Sequence, residues 1–389
     1  MHTLQRITQI AFIYIFVYSC STATLEYTDG ITAIRTENNL ARGEEQLKLA
    51  TDIDSTNALP PYMLGRLVYY KQERWEEMNN AFIKAESRNP SLSLNQESFA
   101  VEDRIIDTVG EAIKLLRQDA VYKIIKEYFA DKTNYDSMIA ERVKELKVIG
   151  TTDEIIKTLL NEDFKLKDSL QSLKEKLRLA ISILPDNAEA YCELSDLYVS
   201  DLDNAMALQI LNDGIASNPN NWVLQYKLAE FYESDGSLDK ALEACRQSIA
   251  SDAPPEAYSL LFRLYFDLGE IEKAKEACET LIDKFQDNPQ FLSSAFYNKA
   301  ILYRKIGSEY FDSAQKKFFS EDAIDNKEVI LADLENALDN LKIAKTNFED
   351  YKYTSENPDQ NIDILIKETR SYIYKIEREW FDRVEDLGG

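Results

Sequence analysis

The sequence predicts an all-α fold, an α-solenoid in which short helix pairs stack along the chain. Three observations point there. Gly and Pro are scarce, 11 and 9 of 389 residues, which leaves little turn material for a sheet-rich fold. Glu, Lys, Leu and Ala are abundant, and such side chains lose little rotamer freedom in a helix. The third is an internal repeat: AISILPDNAEAY (Ala180 to Tyr191) and GIASNPNNWVLQY (Gly214 to Tyr226) match, with Pro185 and Pro219 standing 34 residues apart.

In chain order, the first element is an apolar run, Ile7 to Tyr18, preceded by Arg6. It is too short to span a bilayer core, which takes about 20 residues, and fits the 7–15 residue core of a secretory signal. VYSC, Val17 to Cys20, follows it and resembles a bacterial lipoprotein signal, although Tyr18 is bulkier than usual there. The resemblance implies cleavage before Cys20, lipidation of that cysteine, and attachment at the cell envelope, on the periplasmic side of the outer membrane. Cleavage after Ser21 to Ala23, or an uncleaved anchor, is the alternative. Acyl chains add about 0.8 kcal/mol per buried CH₂, so several together hold a protein stably. STATLEYTDG, behind Cys20, reads as part of a polar tether over 20–34.

The repeat organises the body. Leu194, Tyr198, Ala207 and Leu211 recur as Leu228, Tyr232, Ala241 and Cys245, and again as Leu261, Tyr265, Ala274 and Cys278. Gly236 and Gly269 fall in the intervening turn. This pattern resembles the tetratricopeptide repeat, which implies pairs of antiparallel helices stacked into a right-handed superhelix. Short helices cannot hide their apolar faces alone, so stacked copies share one core. An upstream unit shows Tyr62, Tyr69, Met78, Phe82 and Ala85, with Leu64 and Gly65 about one residue out of register. A preceding second helix carries Gly43, Leu47 and Ala50. Downstream, Phe296, Ala300, Tyr303 and Gly307 mark a further first helix.

Between these blocks the repeat lapses while apolar spacings of three and four persist, so an all-helical insertion is expected. Thr151 and Glu154 form a capping-box pattern within it. Leu173, Leu177 and Ala180 then restore the frame, as if one unit's two helices had been pulled apart. The organisation expected is a signal at 1–19, a tether at 20–34, repeat units at 35–90, an insertion at 91–172, repeat units at 173–311 and C-terminal capping helices at 312–389.

The chemistry is one of exclusions. A net charge of −24 repels nucleic-acid phosphates. His2 is the single histidine and lies in the expected signal, which removes imidazole catalysis and ordinary zinc sites from the body. Neither GxxxxGKS/T nor GxGxxG occurs, so no nucleotide cofactor is expected. Asp201 and Asp203 lack the Gly and Glu of a calcium loop and read as a solvated turn. Cys245 and Cys278 sit on neighbouring second helices, whose axes lie about 8–10 Å apart, and read as small core residues. The chain is read as a non-enzyme with no metal and no cofactor.

The resemblance places a binding face on the concave side, lined by one stripe of each first helix. Steps of three, four and three give Glu189, Cys192, Asp196 and Val199; then Val223, Tyr226, Glu230 and Glu233; then Glu256, Ser259, Arg263 and Phe266. Lys, Arg and Asn, which family members use to clamp acidic termini, are not arrayed there. The candidate groove is therefore Glu189, Asp196, Tyr226, Glu230, Glu233, Arg263 and Phe266, suited to a basic or amphipathic protein segment. The alternative partner is a glycan or nutrient, suggested by 22 tyrosines. Tyr191, Tyr198, Tyr232, Tyr258 and Tyr265, however, sit at packing positions.

Overall fold

The computed structural model describes residues 24–101, 104–251 and 253–387. The apolar segment and Cys20 lie outside the described residues. The chain divides into two compact units between Ser217 and Asn218. It is an all-α solenoid of tetratricopeptide-like helix pairs.

The first unit opens with α1 (24–35) and α2 (Leu40–Ile53). Here the structure corrects the tether. Residues 24–34 are helical because Tyr27, Gly30 and Ile34, three and four apart, share one face, and Gly30, Ala33 and Ile34 are buried. Asn39 caps α2 by accepting from the Arg42 amide at 3.0 Å. Next, α3 (Leu59–Leu64) runs through a π turn, Gly65–Tyr69, and a 3₁₀ turn, Tyr70–Gln72, before α4 (Trp75–Arg88) returns. The π turn absorbs one extra residue. That accounts for the register slip at Leu64 and Gly65, and Tyr62, Tyr69, Met78, Phe82 and Ala85 are all buried as the repeat requires.

One short hairpin interrupts the helical region. β1 (Phe99–Val101) pairs antiparallel with β2 (Arg104–Ile106), Phe99 opposite Ile106. Arg66 lies 4.7 Å from the Phe99 ring centroid, and Ile106 is fully buried, so the hairpin is fastened to the first unit. α5 (Val109–Val148) follows, capped by Thr108. Then come α6 (Asp153–Glu162) and α7 (Phe164–Ile183), the latter capped by Asp163. The capping position of α6 is Thr152, whose side chain makes no cap bond, so the Thr151–Glu154 box does not form. α5 and α7 pack along each other, tied by Lys176 to Asp131 at 2.6 Å, as two separated halves of one pair would. The boundary expected at 172/173 falls inside α7, because Leu166 and Leu170 are buried like Leu173 and Leu177. α8 (Ala188–Ser200) and α9 (Asn204–Ser217) complete the unit. Neither aspartate of the 201–203 turn is idle: Asp201 binds Lys174 at 2.6 Å, and Asp203 accepts from the Met206 amide at 3.0 Å.

The second unit begins with two pairs, α10 (Trp222–Ser234) with α11 (Leu238–Ala250), then α12 (Pro255–Asp267) with α13 (Ile271–Phe285). Leu224, Ala241, Leu260, Leu264 and Ala274 are fully buried between them. Cys245 and Cys278 are buried and not disulfide-bonded. Each thiol points at the carbonyl of a following first helix, Cys245 to Ala257 and Cys278 to Ala295. The turn inside each pair needs one left-handed residue: Gly236 has φ +75° and Gly269 +74°. In the first unit Leu202 holds the corresponding place at +63°.

Longer helices close the second unit. α14 (Pro289–Phe318) pairs with α15 (Lys327–Thr354). α16 (Ile362–Lys375), a π turn at Ile376–Trp380 and α17 (Phe381–Glu385) fold back on them. Phe311, Leu334, Leu341, Trp380 and Val384 form one buried cluster there. The boundary expected at 311/312 lies within α14, since no breaker residue ends the helix at that point.

Candidate functional site

The first helices of the second unit are α10, α12 and α14. Their stripe residues project to one face because steps of three and four keep side chains on one side of a helix. Tyr226, Glu230 and Glu233 come from α10, and Arg263 and Phe266 from α12. Glu189 and Asp196 belong to α8 of the first unit. Asp196 borders a separate cavity of about 250 Å³ there, with Lys132, Tyr135, Asp136 and Lys157 among its neighbours. Glu189 is exposed. Cys20 lies outside the described residues.

In the second unit the stripe opens into a cavity of about 350 Å³. Tyr226 lines it from α10; Glu256, Ser259 and Arg263 from α12; Phe291, Ser294, Tyr297 and Asn298 from α14; and Tyr351 from α15. Phe291, Tyr297 and Tyr351 were not anticipated as site residues. Carrying the spacing of the α12 stripe one helix further reaches Phe291, Ser294 and Asn298, so that signal was present in the sequence. Tyr351 comes from a helix outside the repeat, and no spacing pointed to it.

Electrostatics divide the predicted stripe. Arg263 donates from Nε and a terminal nitrogen to the two carboxylate oxygens of Glu233, at 3.0 and 2.9 Å. That hydrogen bond is the main reason its guanidinium pKa rises. Lys227 stands 3.5 Å from Glu230. Burial holds the Tyr226 hydroxyl above its ordinary pKa, with the neighbouring Glu230 carboxylate acting the same way. The hydroxyl therefore stays protonated at neutral pH. Phe266 is not part of the cavity wall. Its ring stacks on Phe262 at 5.7 Å and lies under the Lys305 ammonium at 4.6 Å.

Four of the tyrosines at packing positions are structural. Tyr191, Tyr198, Tyr258 and Tyr265 are buried; the Tyr191 hydroxyl meets that of Ser217 at 3.4 Å, and cations reach the other three, Arg178 for Tyr198, Lys284 for Tyr258 at 2.6 Å and Arg246 for Tyr265 at 2.8 Å. Lys240 and Lys273 repeat one packing role, 5.3 Å from the Tyr232 ring and 5.6 Å from the Tyr265 ring. Among the described residues no group of three His, Cys, Asp or Glu is placed to hold a metal. Among them, too, no helix is long and apolar enough to cross a membrane.

No protein-family model matches the chain. It is 23% identical over 340 residues to tetratricopeptide repeat protein 21B of Xenopus laevis. That alignment takes in 82% of this chain and spans 23% of the relative's length. A tetratricopeptide repeat protein from Parabacteroides merdae is similar in structure, at 13% identity over 90% of this chain and 99% of that one, with a TM-score of 0.31. YrrB, a tetratricopeptide repeat protein with an unusual peptide-binding site, is similar at 12% identity over 55% of this chain and 97% of its own, with a TM-score of 0.30.

Proposed function

We propose that this chain is a non-catalytic scaffold that holds a basic or amphipathic protein segment against the first-helix face of its second unit. The observation that carries this reading is the cavity where α10, α12, α14 and α15 meet, walled by four aromatic rings and the carboxylate of Glu256. With Arg263 paired to Glu233, Glu256 leaves the cavity lining with a negative charge, which steers a positively charged partner toward it. Glu189 and Asp196 add acid to the matching stripe of α8. Cys20 would carry the lipid that holds the scaffold at the envelope, in the periplasm and on the outer membrane, so the partner is captured at a surface rather than in bulk.

In-cell crosslinking with mass spectrometry tests this, comparing the natural chain with Glu230→Lys and with Cys20→Ala. A defined protein that is lost on Glu230→Lys and whose recovery falls on Cys20→Ala supports the reading. Turnover of any substrate by the purified chain removes it. The same cavity favours one second reading, capture of a glycan by Tyr226, Phe291, Tyr297 and Tyr351. A saccharide-induced rise in Tm that disappears in Tyr351→Leu separates that reading from the first.

A further inference from the structure

We infer that the cavity of the second unit is a receptor for a single cationic side chain, an arginine or lysine of the partner, boxed by Tyr226, Phe291, Tyr297 and Tyr351 and neutralised by Glu256. The inference rests on the scaffold reading and names the chemistry of its site.

Size is the first constraint. A space of about 350 Å³ is near the lower end of ligand pockets, roughly 300–1,000 Å³. It admits one long side chain and no folded element.

The second is the disposition of the rings. Tyr297 and Tyr351 stand 5.0 Å apart with planes inclined at 59°. Two rings at that angle make a corner, not the flat platform on which a sugar face stacks. A cation does not need a flat platform, because it is attracted to any π face that it lies over, and two inclined faces can bound it from two sides. The backbone amide of Asp359 donates to the Tyr351 hydroxyl at 3.0 Å, which fixes that wall before any ligand arrives. Tyr297 is wedged edgewise against Phe348 at 6.1 Å, which fixes the other.

Charge is the third. Arg263 is the cationic residue of the wall, and its Nε and Nη2 both donate to Glu233. That pair is neutral as a whole, so Arg263 brings no net positive charge to the cavity. Glu256 remains as the net charge of the lining, and it is negative. Rings with one carboxylate and a neutralised guanidinium select a cation over an anion or a neutral polyol. Ser259, Ser294 and Asn298 supply neutral hydrogen-bond acceptors for the remaining N–H groups of a guanidinium.

Isothermal titration of the full chain with Nα-acetylarginine amide and Nα-acetylcitrulline amide tests the inference, since the two differ in charge and scarcely in shape. Arginine amide is expected to bind about tenfold more tightly, as a desolvated cation among aromatic rings does. Glu256→Gln, at an exposed position, should lower that affinity severalfold with Tm unchanged, and Tyr351→Leu should do the same. Should Tyr351→Leu fail to fold, Glu256→Gln still decides. Equal affinity for both amides, indifference to Glu256→Gln, or binding of maltotriose in their place would overturn the cation receptor. The scaffold reading is judged separately. A crosslinked partner retained by Glu256→Gln but lost in Glu230→Lys sinks the receptor and leaves the scaffold, whereas loss of all partners from the natural chain sinks both.

Discussion

Arg263 reaches from α12 to Glu233 on α10 and binds both of its carboxylate oxygens, at 3.0 and 2.9 Å. The pair crosses between two successive first helices, so it sets the charge of the face as well as its spacing. Arg263 keeps 49% of its side chain exposed and Glu233 keeps 24%, which limits its worth to stability to about 1 kcal/mol or less. Glu233→Gln should therefore leave Tm nearly unchanged. It should also release the guanidinium into the cavity and weaken binding of a basic peptide severalfold at low salt. Titration of an arginine-containing peptide at two ionic strengths checks this. Unchanged affinity at both would mean that the pair does not govern recognition.

Leu202, Gly236 and Gly269 occupy the same turn in three helix pairs, all with positive φ. A side chain in left-handed backbone costs about 1–2 kcal/mol, and glycine avoids that cost. Leu202 is 56% exposed, so trimming its side chain loses little buried surface. Leu202→Gly is expected to raise the free energy of unfolding by about 1 kcal/mol, and Gly236→Ala to lower it by a similar amount. Urea denaturation of the two variants checks both signs. A Leu202→Gly variant less stable than the natural chain would show that this leucine contributes packing that outweighs its backbone strain.

These turns also show what was legible in the sequence. Gly236 and Gly269 announced their conformation because glycine is the residue that adopts it without penalty, whereas Leu202 carried no such mark and only the 34-residue step placed it. Apolar spacing located Leu228, Ala241 and Cys245, since burial on one helix face is a local property. It misplaced the ends of α7 and α14, which continue past the repeat without a breaker. Part of the cavity was readable by the same logic: Tyr226, Glu256, Ser259 and Arg263 follow the stripe. Tyr351 reaches the cavity from α15, and a contact between helices so distant in sequence leaves no periodic trace. The pairing of Arg263 with Glu233 was equally hidden, because composition counts charges and does not say which are already neutralised.

Burial pushes the thiols of Cys245 and Cys278 up to about 12, well above the ordinary value. A folded pKa above the unfolded one means that the stabilisation is fully present below about pH 9 and is lost as pH rises through the folded value. Each thiol then lowers stability by roughly 1.4 kcal/mol per pH unit across that window. Tyr128 and Tyr226, also held protonated by burial, act in the same direction from about pH 10. The urea midpoint is expected to fall steeply between pH 9 and 12, and less steeply in the Cys245→Ala/Cys278→Ala double variant. At pH 8 both thiols should resist iodoacetamide until urea unfolds the chain. Rapid alkylation of either in the native state would contradict their burial.

Lys174 provides the most demanding test of the first unit. Its side chain is 5% exposed, yet its ammonium sits 2.6 Å from Asp201 and 4.1 Å from the centroid of the Tyr198 ring. A buried ammonium is stable only while a partner compensates for its lost hydration. Asp201 is 45% exposed, so its removal admits some water and should cost about 1–3 kcal/mol, below the range for fully buried pairs. Lys174→Met keeps the length of the chain across Tyr198 and removes the charge that needed compensation. It is expected to fall within about 1 kcal/mol of the natural protein, on either side. Denaturation of Asp201→Ala, Lys174→Met and the double variant closes the cycle, and the double variant should resemble Lys174→Met alone. If Lys174→Met proved the more damaging single change, the ammonium over Tyr198 would be a net source of stability and Asp201 merely its companion.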